Sequence, residues 1–167
     1  MTRVLVPSGV LGLGFDGPAL MRGAAMQPDI FAIDGGSTDS GPFYLGTGTS
    51  KYGRAASKSE WRQILQARAQ AGVPLVIGSC GTCGTDSTVD WMYQITVELA
   101  MELGQNLKIA RLYSSQSIAD LQVALADGRI TALAPELPLD ADILASCSNI
   151  VALAGAAGDT TRVKQAA

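Results

Sequence analysis

Residues 30–49 read Ile30-Phe31-Ala32-Ile33-Asp34-Gly35-Gly36-Ser37-Thr38-Asp39-Ser40-Gly41-Pro42-Phe43-Tyr44-Leu45-Gly46-Thr47-Gly48-Thr49. The apolar run from Ile30 to Ile33 has strand length and stops abruptly at Asp34. A long loop of glycines, hydroxyls and carboxylates follows, and its glycines let the backbone approach a ligand closely. Asp34, Ser37, Thr38, Asp39, Ser40 and Tyr44 supply polar atoms with no adjacent apolar face to bury. Most connectors in compact domains have only ~4–6 residues, and longer ones are functional or disordered. This stretch therefore reads as a strand that delivers the chain into a site.

Outward from it, strand-length and helix-length segments alternate. Val4 to Val6 is the first strand, and a turn with Gly9, Gly12, Gly14 and Gly17 follows. Pro18 to Met26 is a short helix, capped by Asp16, with Pro18 suited to its first turn. Ser57-Lys58-Ser59-Glu60 resembles a helix start, with Trp61, Ile64, Leu65, Arg68 and Ala69 at helical spacing and Gly72 as terminator. Leu75 to Gly78 is the third strand. A helix then runs from about Ser87 to Leu103, closed by Gly104. Ile109 to Tyr113 is a fourth strand, Ser117 to Ala126 a helix stopped by Asp127-Gly128, Leu139 to Ala145 a short helix and Ile150 to Leu153 a fifth strand.

Such alternation requires parallel strands with right-handed crossovers, because each strand needs a helix to return the chain. The expected fold is a single α/β domain over residues 1–157, with 158–167 as a frayed or truncated tail. Its core is a doubly wound, mostly parallel sheet of about five strands with helices on both faces. Ligands of such sheets sit beyond the carboxyl ends of the strands. The loops after the first three strands should therefore gather on one edge.

The bulk properties fit one globular domain. The 167 residues are 47% apolar and 16% charged, which excludes a disordered or fibrous chain. The formal charge of −3 and the lack of a Lys/Arg cluster argue against a nucleic-acid partner. No apolar run approaches the ~18 residues of a membrane span, and the amino terminus lacks a signal-peptide core. Three cysteines, an odd number, do not make a disulfide framework, so a cytoplasmic location is expected. Histidine is absent altogether, which excludes a Ser-His-Asp or Cys-His arrangement within this chain.

Three motifs carry candidate chemistry. In the first loop Gly12-x-Gly14-x-x-Gly17 matches the letters of a dinucleotide fingerprint; the alternatives are a simple strand-to-helix turn and a backbone nest for a carboxylate or phosphate. In the second, Asp34 and Asp39 are candidate general bases or ligands of a hard cation; the alternative is Asx- and ST-turns that bond their own backbone. No metal site is assigned. Tyr44 either stacks on a ligand or anchors the loop together with Phe43. In the third, Cys80-Gly81-Thr82-Cys83 is a CxxC, but a thioredoxin-type motif would place its first cysteine at the helix start. Small residues of a ligand-facing loop are the favoured reading, with Ser79, Cys80 and Cys83 as contacts and redox or metal chemistry the minor one. Asp86 is either the helix N-cap, the favoured role, or a third carboxylate at the site.

The stretch from Asp34 to Gly48 resembles the signature of the acyclic terpene utilisation (AtuA-like) family, and Val76-Ile77-Gly78-Ser79 with the glycine-rich run ending at Asp86 resembles that family's next loop. The resemblance covers most of the chain and matches the amino-terminal portion of longer family members. It departs at Cys80 and Cys83, where alanine or glycine is expected. It implies a role near acyclic terpenoid or related acyl-chain catabolism, with Asp34, Ser37, Thr38, Asp39, Tyr44 and Asp86 as site residues of unassigned role.

The leading expectation is a catabolic enzyme or enzyme subunit acting on a small carboxylated or acyl-CoA-linked substrate. Asp34, Asp39 and Asp86 are its candidate catalytic carboxylates, and the amides and side chains of Gly12, Gly14, Gly35, Gly36, Ser37, Thr38, Ser40 and Tyr44 hold an anionic substrate. The cofactor is unassigned. A non-catalytic subunit completed by a partner chain or a second copy is the alternative, and a nucleotide-binding module using Gly12, Gly14 and Gly17 is the other.

Overall fold

The computed structural model describes residues 1–36, 40 and 42–151. Its elements are β1 (Val4–Leu5), α1 (Gly17–Ala25), β2 (Ile30–Asp34), α2 (Pro42–Thr47), α3 (Arg54–Ala71), β3 (Leu75–Gly78), α4 (Asp86–Glu102), α5 (Ile118–Ala126) and α6 (Ala141–Ser146). Ser37, Thr38, Asp39 and Gly41, residues 152–153 of the expected fifth strand and the tail 158–167 lie outside the described residues.

The three strands form a parallel sheet in the order β1-β2-β3. Leu5 pairs with Phe31, Phe31 with Leu75 and Ile33 with Ile77, so these five side chains share one face. That face is the core side. Phe31 and Ile33 are buried there with Trp61, Ile64 and Leu65 of α3 and Ile95 of α4. Leu20 and Ala24 of α1 join the same cluster. The other face carries Val4, Ile30, Ala32 and Val76, of which Val4 is 53% and Val76 42% exposed.

The expectation of five strands with helices on both faces is thus only partly met. The chain is mixed α/β with a parallel sheet, but among the described residues the sheet has three strands and α1, α3 and α4 share one core. Two causes account for the difference. Residues 109–113 form no strand and do not join the ladder of β3, and Val151 makes only an isolated antiparallel bridge to Ser115. Helices α5 and α6 meanwhile pack on each other.

Local chemistry sets the helix ends. Asp16 accepts from the amide of Ala19 at 3.0 Å and caps α1. Gly72, with φ of 70°, ends α3 by donating to the carbonyl of Arg68. Gly104 follows α4 with φ of 63°, and Gly128 follows α5 in the same left-handed region. Ser57-x-x-Glu60 does not start a helix: α3 begins three residues earlier, after Gly53, and Ser57 is buried in its second turn. Between α3 and α4 the charged pairs Arg54–Glu98, Lys58–Glu98, Lys58–Glu102 and Arg62–Glu102 form a continuous ladder. No helix among the described residues is long and apolar enough to cross a membrane.

Candidate functional site

The parallel sheet brings the loops after β1, β2 and β3 to one edge, and backbone hydrogen bonds tie them together. The amide of Leu11 in the first loop donates to the carbonyl of Asp34 at 2.9 Å. The amide of Gly35 in the second donates to the carbonyl of Gly78 at 2.6 Å. The far end of the second loop is held by the amide of Lys51, which donates to Thr82 Oγ1 at 3.0 Å. Gly36 sits so close to the backbone of Thr82 that any Cβ there would overlap it.

In the first loop the amides of Gly12 and Gly14 converge on one carboxylate. Gly12 donates to Glu60 Oε2 at 2.7 Å and Gly14 to Glu60 Oε1 at 2.9 Å. Both glycines have left-handed φ values, 105° and 85°, which aim successive amides to the same side as an anion nest does. Of the alternatives for this loop, the nest is the geometry present, and the chain's own Glu60 fills it. Gly17 lies apart, as the first residue of α1.

The second loop leaves Asp34 exposed at the carboxyl end of the central strand. Its Oδ1 accepts from the amide of Gly36 at 3.0 Å, an Asx-type turn. No described residue occupies Oδ2. Gly35 and Gly36 are buried. Ser40 accepts through its hydroxyl from Lys51 Nζ at 3.2 Å. Tyr44 is half-buried and meets Phe43 edge-on, with ring centroids 5.3 Å apart. Phe43 itself is exposed, so this aromatic pair caps the loop from outside.

The third loop holds two non-glycine residues in the left-handed region, Ser79 (φ 45°) and Thr82 (φ 78°), together with Gly81 and Gly84, which also have positive φ. Cys80 and Cys83 are both free thiols. Burial pushes the Cys80 thiol up to about 12, so it is neutral at physiological pH. Cys83 is buried, with Sγ 3.5 Å from Thr88 Oγ1 and 3.6 Å from Thr85 Oγ1. The N-cap of α4 is Thr85, whose side chain accepts from the amide of Thr88; this corrects the assignment to Asp86. The reason is backbone conformation: Thr85 is extended, whereas Asp86 already lies in the first turn. Asp86 instead exchanges two bonds with Ser115, accepting from its amide at 3.1 Å and donating its own amide to its hydroxyl at 3.3 Å.

The residues gathered at the edge are thus Asp34, Gly35, Gly36, Ser40, Lys51 and the Ser79–Thr85 loop, with the Asp34 carboxylate exposed. Gly12 and Gly14 stand beside them with their amides engaged. Among the described residues no group of three or more His, Cys, Asp or Glu is placed to hold a metal ion. Glu60, Lys51, Thr82 and Ser115 bond to the candidate residues of these loops, and the sequence alone does not single them out. Glu60 resembles the last member of a capping box in sequence, but in the structure it lies nearly two turns into α3. No protein-family model matches this chain, and searches of curated proteins and of solved structures return no match.

Proposed function

We propose that this chain is a cytoplasmic catabolic enzyme, or a subunit of one, that acts on a small carboxylated or acyl-CoA-linked substrate of the acyclic terpenoid type, with the reaction unassigned. The observation that carries the reading is Asp34. It stands exposed at the end of the central strand, with three loops bonded around it and one carboxylate oxygen bonded to none of the described residues. A carboxylate so placed can take a proton from a bound substrate, and the exposed ammonium of Lys51 lies on the same loop to attract an anionic group. The resemblance of the Asp34–Gly48 stretch to the acyclic terpene utilisation family supports the substrate class.

Isothermal titration with acyl-CoA thioesters and with the free acids tests it. Saturable heat that weakens in Asp34→Asn is the expected result; no heat with either class, or an unchanged titration in the variant, refutes it. The exposed sheet face at Val4 and Val76 favours a second reading, in which a partner chain or a second copy completes the site. A nucleotide on the first loop would first have to displace Glu60 from both amides, which counts against a nucleotide-binding module.

A further inference from the structure

Beside the outer edge of β3 lies a cavity of about 400 Å³. At the roughly 30 Å³ that a water molecule takes in the liquid, this is space for about a dozen water-sized groups. Its walls are mainly apolar, with Leu65 from α3, Leu75 and Ile77 from β3, Met92 from α4, and Ile109 and Leu112 from the segment that follows α4. The gap exists because β3 is laddered only to β2, while residues 107–112 run past it without bonding to it.

The charges around the cavity are of one sign. Arg68, Lys108 and Arg111 line it, and no acidic residue does among the described residues. Arg111 is committed to Asp90 at 2.7 Å and to the ring of Tyr93, 4.4 Å away. Arg68 spends only its Nε, which donates to the carbonyl of Val73 at 2.6 Å; its two terminal nitrogens bond to none of the described residues. A guanidinium with free terminal nitrogens is suited to a planar carboxylate. The half-buried Cys80 also lines it, its thiol pushed up and so uncharged.

We infer that this cavity binds a single-chain amphiphile, an apolar chain of about a dozen groups or fewer ending in a carboxylate, with the chain along β3 and the carboxylate on Arg68. Asp34 is not among the lining residues, so this inference stands apart from the reading of the strand-end site. Covering the apolar walls of this pocket with hydrocarbon removes them from water, which is favourable.

Trp61 lines the cavity and is buried, so its emission reports occupancy. The test titrates the whole chain with decanoate and with decanol. The expected result is a saturable change in tryptophan emission, with decanoate at least tenfold tighter than decanol. In Arg68→Met, shown folded by circular dichroism, decanoate falls to the level of decanol. Equal affinity for the two probes in the unsubstituted chain, or no saturable change, overturns the inference whatever the variant does. Hydrogen exchange supplies a separate check. If amides 108–112 of the ligand-free chain are as protected as those of β3, the segment is a fourth strand, the cavity is closed and the inference fails.

Discussion

Replacing Glu60 by alanine removes a side chain of α3 that hydrogen-bonds the first loop in place. Its two oxygens accept from Gly12 and Gly14 at 2.7 and 2.9 Å. Hydrogen bonds to an ionised group contribute roughly 1.5–3 kcal/mol each when shielded. Gly14 is exposed, however, and water can replace much of what its bond contributes. The pair together is therefore worth about 2–3 kcal/mol rather than twice the single figure. Glutamine keeps one acceptor oxygen, so Glu60→Gln should lose only about 1 kcal/mol. For a domain of this size each kcal/mol moves Tm by about 2–4 °C. The expected falls are roughly 4–12 °C for Glu60→Ala and roughly 2–4 °C for Glu60→Gln. Calorimetry reads both. Acetate adds a second readout, since the vacated amides of the alanine variant can take a carboxylate from solution. Its Tm should rise with acetate while that of the unsubstituted chain does not. If both variants melt with the unsubstituted chain, or acetate acts on all three alike, the amides are not holding Glu60 and the nest interpretation is wrong.

Thr96→Val should cost about 1–3 kcal/mol in urea unfolding, because it leaves the buried Nε1 of Trp61, now 2.9 Å from Thr96 Oγ1, without an acceptor; an unchanged midpoint would contradict this. The α3–α4 ladder makes an acid-limb prediction. Hydrogen bonds from Lys58 first, then from Arg54 and Arg62, hold Glu98 and Glu102 below their ordinary value of 4.5. A folded pKa below the unfolded one gives stability that is present above pH 4.5 and lost as pH falls through the lowered values. Melting from pH 7 to pH 2 should show the unsubstituted chain converging on Glu98→Gln/Glu102→Gln only below pH 4.5. A gap independent of pH would refute it. Cys80, its thiol pushed up to about 12, should react only slowly with iodoacetamide at pH 8, as peptide mapping would show; rapid alkylation at that pH would contradict the raised value.

What could be read from the sequence was whatever neighbouring residues decide among themselves. Asp16 before Pro18, Gly72 before Pro74 and Gly104 after Leu103 state their roles within one turn of chain, and each performs them. The buried Phe31 and Ile33 likewise follow from their own strand. Decisions made over distance were not legible. Glu60 imitates the last member of a capping box, and only the fold brings it to Gly12 and Gly14, 48 and 46 residues away. The run from Ile109 to Tyr113 announces a strand but cannot say whether β3 is within bonding reach. Helix α2 was missed because Gly46 and Thr47 are poor helix formers, so propensity gave no sign of it. At the site, Asp34, Gly35 and Gly36 were found from their position at a strand end, whereas Asp86 was assigned a capping role that belongs one residue earlier.

The third loop shows where this scaffold has room for improvement and where it has none. A left-handed backbone costs a side-chain-bearing residue roughly 1–2 kcal/mol, and the chain accepts that cost at both Ser79 and Thr82. The two positions are not equivalent. The Thr82 hydroxyl anchors the Lys51 amide and so the far end of the second loop, and a glycine there would relax one loop by releasing another. Ser79 contributes its carbonyl, to the amide of Thr82, and glycine would retain that bond. An engineer seeking a sturdier version of this fold would begin at Ser79 and leave Thr82 alone.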